Sequence, residues 1–184
     1  MMEFYIILGI AAVAGLYVLT FYNGSIKLRN GVEEAFATMD VYMKKRYDLI
    51  PNLVETVKGY AAHEKETLQA LTEARSKTIQ AATPEERFAQ EAGLQSALKS
   101  LFAVAENYPD LKANQNFLAL QQELSGVESE IASSRKYYNA VVKTFNTRIQ
   151  VFPGNLLAGP FGFTKQPMFE VSSEEERANV SVSF

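Results

Sequence analysis

His63 is the only histidine in a chain that has no cysteine, and those two facts exclude most side-chain chemistry at once. A two-histidine metal site, a Ser-His-Asp triad, a thiolate metal site, a cysteine nucleophile and a disulfide all need residues that are absent. His63 stands beside Glu64 near the end of a helical stretch, which suits a solvent-facing or capping role. Glu123, Glu128 and Glu130 share one helical stretch, where carboxylates are ordinarily solvated rather than acid–base partners. The Glu-x-x-His pairs of di-iron bundles are missing. Gly154, Gly159 and Gly162 match neither phosphate-loop nor dinucleotide spacing. The run Lys44-Lys45-Arg46 reads as a solvated basic face. No residue is therefore assigned a catalytic, cofactor-binding or metal role, and neither an enzyme nor a small-molecule substrate is expected.

Charge points the same way. Eighteen basic residues stand against 21 acidic ones, a net charge of −3, whereas binding nucleic acid requires a basic face to neutralise phosphates. With 184 residues, a membrane segment leaves room for one domain.

What remains to be positioned is a membrane contact. Phe4 to Tyr22 (FYIILGIAAVAGLYVLTFY) carries no charge, and roughly twenty apolar residues cross a core about 30 Å thick at about 1.5 Å per residue. A cleaved signal would show a basic start and a small-residue cleavage site after the apolar run. Here Glu3 precedes the run, and Ala12-Val13-Ala14 lies in its middle. Tyr5, Tyr17, Phe21 and Tyr22 cluster towards its ends, where amphipathic rings favour the interface. The expected partner is the lipid bilayer, through a span that includes Phe4, Gly9, Ala11, Gly15 and Tyr22. Lys27, Arg29, Lys44, Lys45 and Arg46 follow the span, which predicts a cytoplasmic domain and an amino terminus outside. Ala11-x-x-x-Gly15 lies in a small-residue face of the kind that lets helices pack closely.

Beyond the span, Val32, Phe36, Met39, Met43, Ile50, Leu53, Val57 and Tyr60 recur at threes and fours, the stripe of a core-facing helix. Pro51 removes an amide donor, and a kink is expected near Asp48 to Ile50. Leu68, Leu71, Ala74 and Thr78 mark a further helix over 64–80. Whether it continues the first past Gly59 or starts anew is open in the sequence. Thr83, Pro84 and Glu86 spell an N-cap, a first-turn proline and a capping box. The helix so begun is expected to run to Tyr108 and to stop at Pro109. From about Ala113 to Val151, Phe117, Leu120, Leu124, Val127, Ile131, Ser134, Tyr138, Val141 and Phe145 alternate steps of three and four, a coiled-coil-like seam. Nothing in the helical region alternates with period two.

The expected fold is all-α. An N-terminal transmembrane helix (1–26) precedes an elongated antiparallel bundle of three to four long helices (27–151) and an irregular, apolar tail rich in glycine and proline (152–184). Within the tail, Phe152, Leu156, Phe161, Phe163 and Phe169 are candidates for a membrane or subunit contact, against the plainer reading of a loop covering the bundle end. Val180-Ser-Val-Ser-Phe184 alternates like a strand that would need a partner.

The string Arg46-Tyr-Asp-Leu-Ile-Pro-Asn-Leu-Val-Glu-Thr-Val-Lys-Gly-Tyr60 closely resembles the signature of the LemA family of bacterial membrane proteins. Similar residues recur at Tyr22-Asn23, Glu34-Ala-Phe36, Asp40, His63-Glu64, Tyr108-Pro-Asp-Leu-Lys-Ala-Asn114, Asn116-Phe117, Leu120-Gln121, Tyr138-Asn139, Phe145-Asn146 and Phe152-Pro153. Phe36 departs from the tryptophan many members carry. The resemblance implies a single-pass protein of the bacterial cell membrane with a helical domain, and supplies no catalytic residues. It marks Arg46, Tyr47, Asp48, Pro51, Asn52, Tyr108, Pro109, Tyr138 and Asn139 as signature positions with structural roles. Asp48 and Asn52 are expected to serve the backbone freed at Pro51. A related protein takes part in building the magnetosome membrane, which implies a role in membrane organisation. Two function classes follow: a scaffold that forms a homo-oligomer, or an adaptor that presents its bundle to another membrane protein.

Overall fold

A computed structural model describes residues 1–169, and every regular element among them is helical. The elements are α1 (Met2–Lys58), α2 (Lys65–Gln80), α3 (Pro84–Ala105), the short α4 (Pro109–Lys112), α5 (Gln115–Gln150) and the short α6 (Gly154–Ala158). The strand-like Val180 to Phe184 lies outside the described residues.

The apolar run and the first amphipathic stripe are one uninterrupted helix, α1, which passes through Pro51. It ends before Tyr60, so α2 starts anew. The capping box opens α3 as the sequence reads. Thr83 Oγ1 accepts from the Glu86 amide at 3.2 Å, and Glu86 Oε2 accepts from the Thr83 amide at 3.3 Å. The far end of α3 departs from expectation. It stops at Ala105, and Pro109, instead of marking only a stop, opens the single turn of α4, because proline lacks only a donor that a first-turn position leaves unused anyway. Asn114 then starts α5, its Oδ1 accepting from the Phe117 amide at 3.0 Å.

The chain forms two compact units. The first comprises Met1–Thr38 and Lys136–Met168; the second comprises Met39–Arg135 and, among the described tail residues, Phe169. This grouping differs from a division at residues 26 and 151, because α1 and α5 each contribute to both units. In the second unit Met39, Met43, Ile50, Leu53, Leu71, Leu94, Leu101, Leu111 and Ile131 are fully buried. In the first, the α5 stripe slips by one position. Val142, not Val141, is buried after Tyr138, followed by Phe145 and Ile149.

Candidate functional site

In the second unit the stripe on α1 runs Met39, Met43, Arg46, Ile50, Leu53, Val57, in steps of four and three. Arg46 thus occupies a core position, and it is 0% exposed. The reading of Lys44-Lys45-Arg46 as a uniformly solvated face is corrected here. Lys44 and Lys45 are exposed, but Arg46, the next residue, lies on the inner side of the helix.

A buried guanidinium needs partners, and two helices supply them. Arg46 Nη1 donates to Glu128 Oε1 of α5 at 2.8 Å, and Nη2 donates to Glu91 Oε2 of α3. Glu91 is 2% exposed and also accepts from the Tyr47 hydroxyl and, at 3.4 Å, from Arg135 Nη2. Arg135 lies 4.1 Å above the ring of Phe169, which packs on Phe88 with centroids 4.6 Å apart. Burial would lower the Arg46 pKa, but the charges and hydrogen bonds of Glu91 and Glu128 outweigh it and hold the group above its ordinary value. Burial, then the Glu91 charge, push the Tyr47 phenol well above its usual range.

This arrangement ties α1, α3 and α5 to one another through a buried arginine and its carboxylate partners. The Glu91 oxygens are committed to Arg46, Arg135 and Tyr47, and among the described residues no three His, Cys, Asp or Glu side chains form a metal cluster. A pH dependence follows. The unfolded chain ionises Tyr47 near pH 10 while the folded chain resists, so this contribution to stability is complete below about pH 10 and falls as pH rises further. Tyr47→Phe is expected to flatten the alkaline loss relative to the parent, measured as unfolding midpoints between about pH 9 and 11.

Pro51 leaves the carbonyl of Tyr47, four residues earlier, without its helical donor. The partner is Arg75 of α2, whose Nε donates to Tyr47 O at 2.7 Å. Asp48 and Asn52 do not fill the role expected of them. The Asp48 carboxylate pairs with Lys44 at 2.6 Å and Asn52 is exposed. Arg75→Ala is expected to cost about 1–3 kcal/mol by stranding that carbonyl. Pro51→Ala in the same chain should recover much of the loss, read from denaturant midpoints. Elsewhere in the unit, Tyr108 donates to Glu64 Oε1 at 2.9 Å, and Asn114 Nδ2 donates to Tyr60 OH at 2.9 Å. His63 is exposed.

The first unit holds the exposed apolar stretch of α1 and the described tail up to Met168. From Phe4 to Leu19 the large side chains of α1 are exposed, except the half-buried Val18, and so are the small residues Gly9, Ala11 and Gly15. Burial begins at Phe21 and Ser25, so the chain covers its own helix from there on. Arg148 of α5 secures this junction. Its Nη2 donates to the carbonyls of Thr20 at 2.9 Å and Phe21 at 3.2 Å, and its Nε donates to Ser25 Oγ at 3.1 Å. Gly24 makes the approach possible, since a Cβ there would stand 2.4 Å from Arg148 Nη2.

The tail folds back on the same place. Gly154 of α6 lies so close to Phe21 and to the Arg148 carbonyl that a Cβ would come within 2.6 Å of each. Phe163, 5% exposed, is ringed by Phe21, Tyr22 and Phe145 at 6.1, 5.9 and 6.3 Å between centroids. Asn146 clamps the following strap, its Nδ2 donating to Gln166 O and its Oδ1 accepting from Gln166 N, both at 2.8 Å. The Tyr138 hydroxyl donates to Pro167 O at 2.8 Å, and Asn139 beside it is half-buried.

The five apolar candidates of the tail therefore divide. Phe163 and Phe169 are packing residues within the chain, which corrects their assignment to an external contact. Phe152 and Leu156 stay 78% and 64% exposed, and Phe161 remains partly open against Tyr22. Sequence reasoning missed Glu91, Arg75 and Arg148. Glu91 alone left a signal, a carboxylate within the Phe88, Leu94, Leu98, Leu101 stripe of α3.

Comparison with known proteins bears on this geometry. The model of the LemA family matches residues 35–184. Protein LemA of Metamycoplasma hominis is 28% identical over 188 residues, covering 98% of this chain and 84% of that protein. Magnetosome protein MamQ 2 of Paramagnetospirillum magneticum is 24% identical, over 81% of this chain. Magnetosome protein MamQ of Magnetospirillum gryphiswaldense is 23% identical, over 80%. The match spans 64% of the length of each of these two magnetosome proteins. None of these names states a catalytic activity.

Proposed function

The chain belongs to the LemA family, and from that premise we propose that it is a membrane-anchored, non-enzymatic helical scaffold that self-associates and organises or shapes the bacterial membrane. One observation carries the anchor. From Phe4 to Leu19 α1 is exposed at every position but Val18, and it is uncharged and apolar throughout, on a helix that continues without a break into the packed units. An apolar surface of that extent is a liability in water and natural in lipid. The basic residues that follow the span support a cytoplasmic position for the helical part, with the amino terminus outside. The magnetosome proteins among the relatives support the membrane-organising part of the reading. For self-association the support is the Ala11-x-x-x-Gly15 face, where backbones can approach closely enough for van der Waals packing to hold helices together in lipid.

The test is the mass of the full-length protein in mild detergent, beside Gly15→Ile. A discrete oligomer that dissociates in the variant supports the scaffold. A monomer in both, at every protein concentration, defeats self-association and leaves the adaptor reading, to be pursued through proteins co-purified from the native membrane. Truncation at Phe152 is the poorer probe, because it removes the buried Phe163 and Phe169 along with the exposed residues.

A further inference from the structure

Between one face of the span and α6 runs a groove of about 700 Å³, walled by Ile6, Ile10, Val13 and Tyr17 on α1 and by Leu156 and Leu157 on α6. We infer that this groove seats a lipid acyl chain, with α6 lying over it as an interfacial cover. The inference rests on the membrane anchor proposed above and deepens it.

Three observations select the occupant. The groove is open along a helix face that is otherwise bare and apolar, so whatever surrounds the span also has access to the groove. Water needs two to four polar partners, and this wall offers hydrocarbon apart from tyrosine hydroxyls. An empty groove would forfeit dispersion contacts on every side. Between Tyr5 and Val18 the helix rises roughly 20 Å at about 1.5 Å per residue, the scale of a chain reaching through one half of a core about 30 Å thick.

The competing occupant is the span of a second copy. Close helix pairing in lipid favours small residues at the contact, but neither Ala11 nor Gly15 lines the groove. Ile6, Ile10, Val13, Tyr17, Leu156 and Leu157 make up most of the wall, beside Gly9 and Ala14. The Ala11-x-x-x-Gly15 pair therefore lies off the groove, and the groove wall, Gly9 and Ala14 apart, is built of larger apolar side chains that suit lipid better than a closely packed helix.

The cover has the matching character. From Val151 to Thr164 no residue is charged, and Val151, Phe152 and Leu156 are exposed. Tyr17 and Tyr22, on the stretch of α1 against which this segment packs, are residues suited to the headgroup boundary.

Because the chain contains no tryptophan, Leu156→Trp introduces a single fluorophore at an exposed site. The full-length variant is reconstituted in phosphatidylcholine vesicles, some carrying acyl chains brominated near the headgroup, with Val41→Trp as a reference in the second unit. Recovery with floated vesicles is checked first, and failure to float overturns the anchor itself. For floated protein, the expected result is a blue-shifted Leu156→Trp emission that loses most of its intensity in brominated lipid, with Val41→Trp little changed. Adding Ala14→Phe, which fills the groove wall, should restore much of that intensity. Unquenched, red-shifted emission overturns the proposal by placing α6 in water. Quenching that emerges only as the protein is diluted into excess lipid overturns it in favour of a second copy. Quenching unaffected by Ala14→Phe overturns seating in the groove while leaving the anchor intact.

Discussion

Arg46→Met is expected to destabilise the folded chain by about 3–5 kcal/mol, the range for removing one partner from a buried ion pair. The methionine fills most of the arginine's volume, so the loss is mainly electrostatic. Glu91, 2% exposed, keeps its charge and loses its principal counter-ion. Tyr47 still donates to it, and Arg135 remains 3.4 Å away, which places the effect within that range and not above it. Glu128 is better placed to recover, since more than a third of its side chain is exposed and it can turn to water. Removing the charges together should reverse much of the damage. Arg46→Met with Glu91→Leu and Tyr47→Phe replaces the buried polar groups of the network by apolar ones and keeps Glu128 and Arg135, whose side chains are part-exposed. Such exchanges of whole buried networks are often neutral or stabilising. The comparison is made by urea unfolding of the three proteins in the same detergent, followed by helical circular dichroism. A cost below about 1 kcal/mol for Arg46→Met would match an exposed pair and contradict the burial described here.

Phe163→Ala is expected to cost a comparable amount, about 3–5 kcal/mol for a buried phenylalanine, with a more local signature. Its ring meets Phe21, Tyr22 and Phe145, and Arg29 stands 5.9 Å from its centroid. These contacts join the tail to both α1 and α5 within the first unit. Their loss should expose the strap that follows, so cleavage by trypsin at Lys165 should accelerate well before global unfolding. Phe152→Ala is the control. The same chemical change at a side chain 78% exposed should leave the unfolding midpoint and the cleavage rate close to the parent. Equal effects at the two positions would refute the division of the tail into packing residues and surface residues.

Much of the secondary structure was legible because it rests on local rules. The capping box at Thr83 is specified by residues within one turn, and the apolar periodicity of α1, α3 and α5 by the geometry of the helix itself. The one-position slip from Val141 to Val142 was not legible, since two adjacent valines satisfy a local pattern equally and only the neighbouring elements choose between them. Pro109 shows a similar limit. Proline ends one helix and begins another by the same loss of a donor, and the sequence alone weighs the two poorly.

The candidate site was less legible. Arg46 was visible as a signature residue but grouped with its exposed neighbours, although its spacing from Met43 and Ile50 puts it on the inner stripe. The carbonyl stranded by Pro51 could be foreseen, but not that Arg75, 28 residues away from Tyr47, would satisfy it.

By itself the sequence determined that the chain is helical, that its first helix has the length and apolarity of a membrane span, and that histidine-pair and cysteine chemistry is out of reach. Those properties depend on composition and on spacing within a few turns. Tertiary structure alone decided which charges are buried, which aromatic residues of the tail pack inward, and that α6 lies beside the span to form a groove. Each of these depends on which distant surfaces meet. A buried charge is stable only where a partner from another helix arrives, and an apolar ring is covered only where another element stands to cover it.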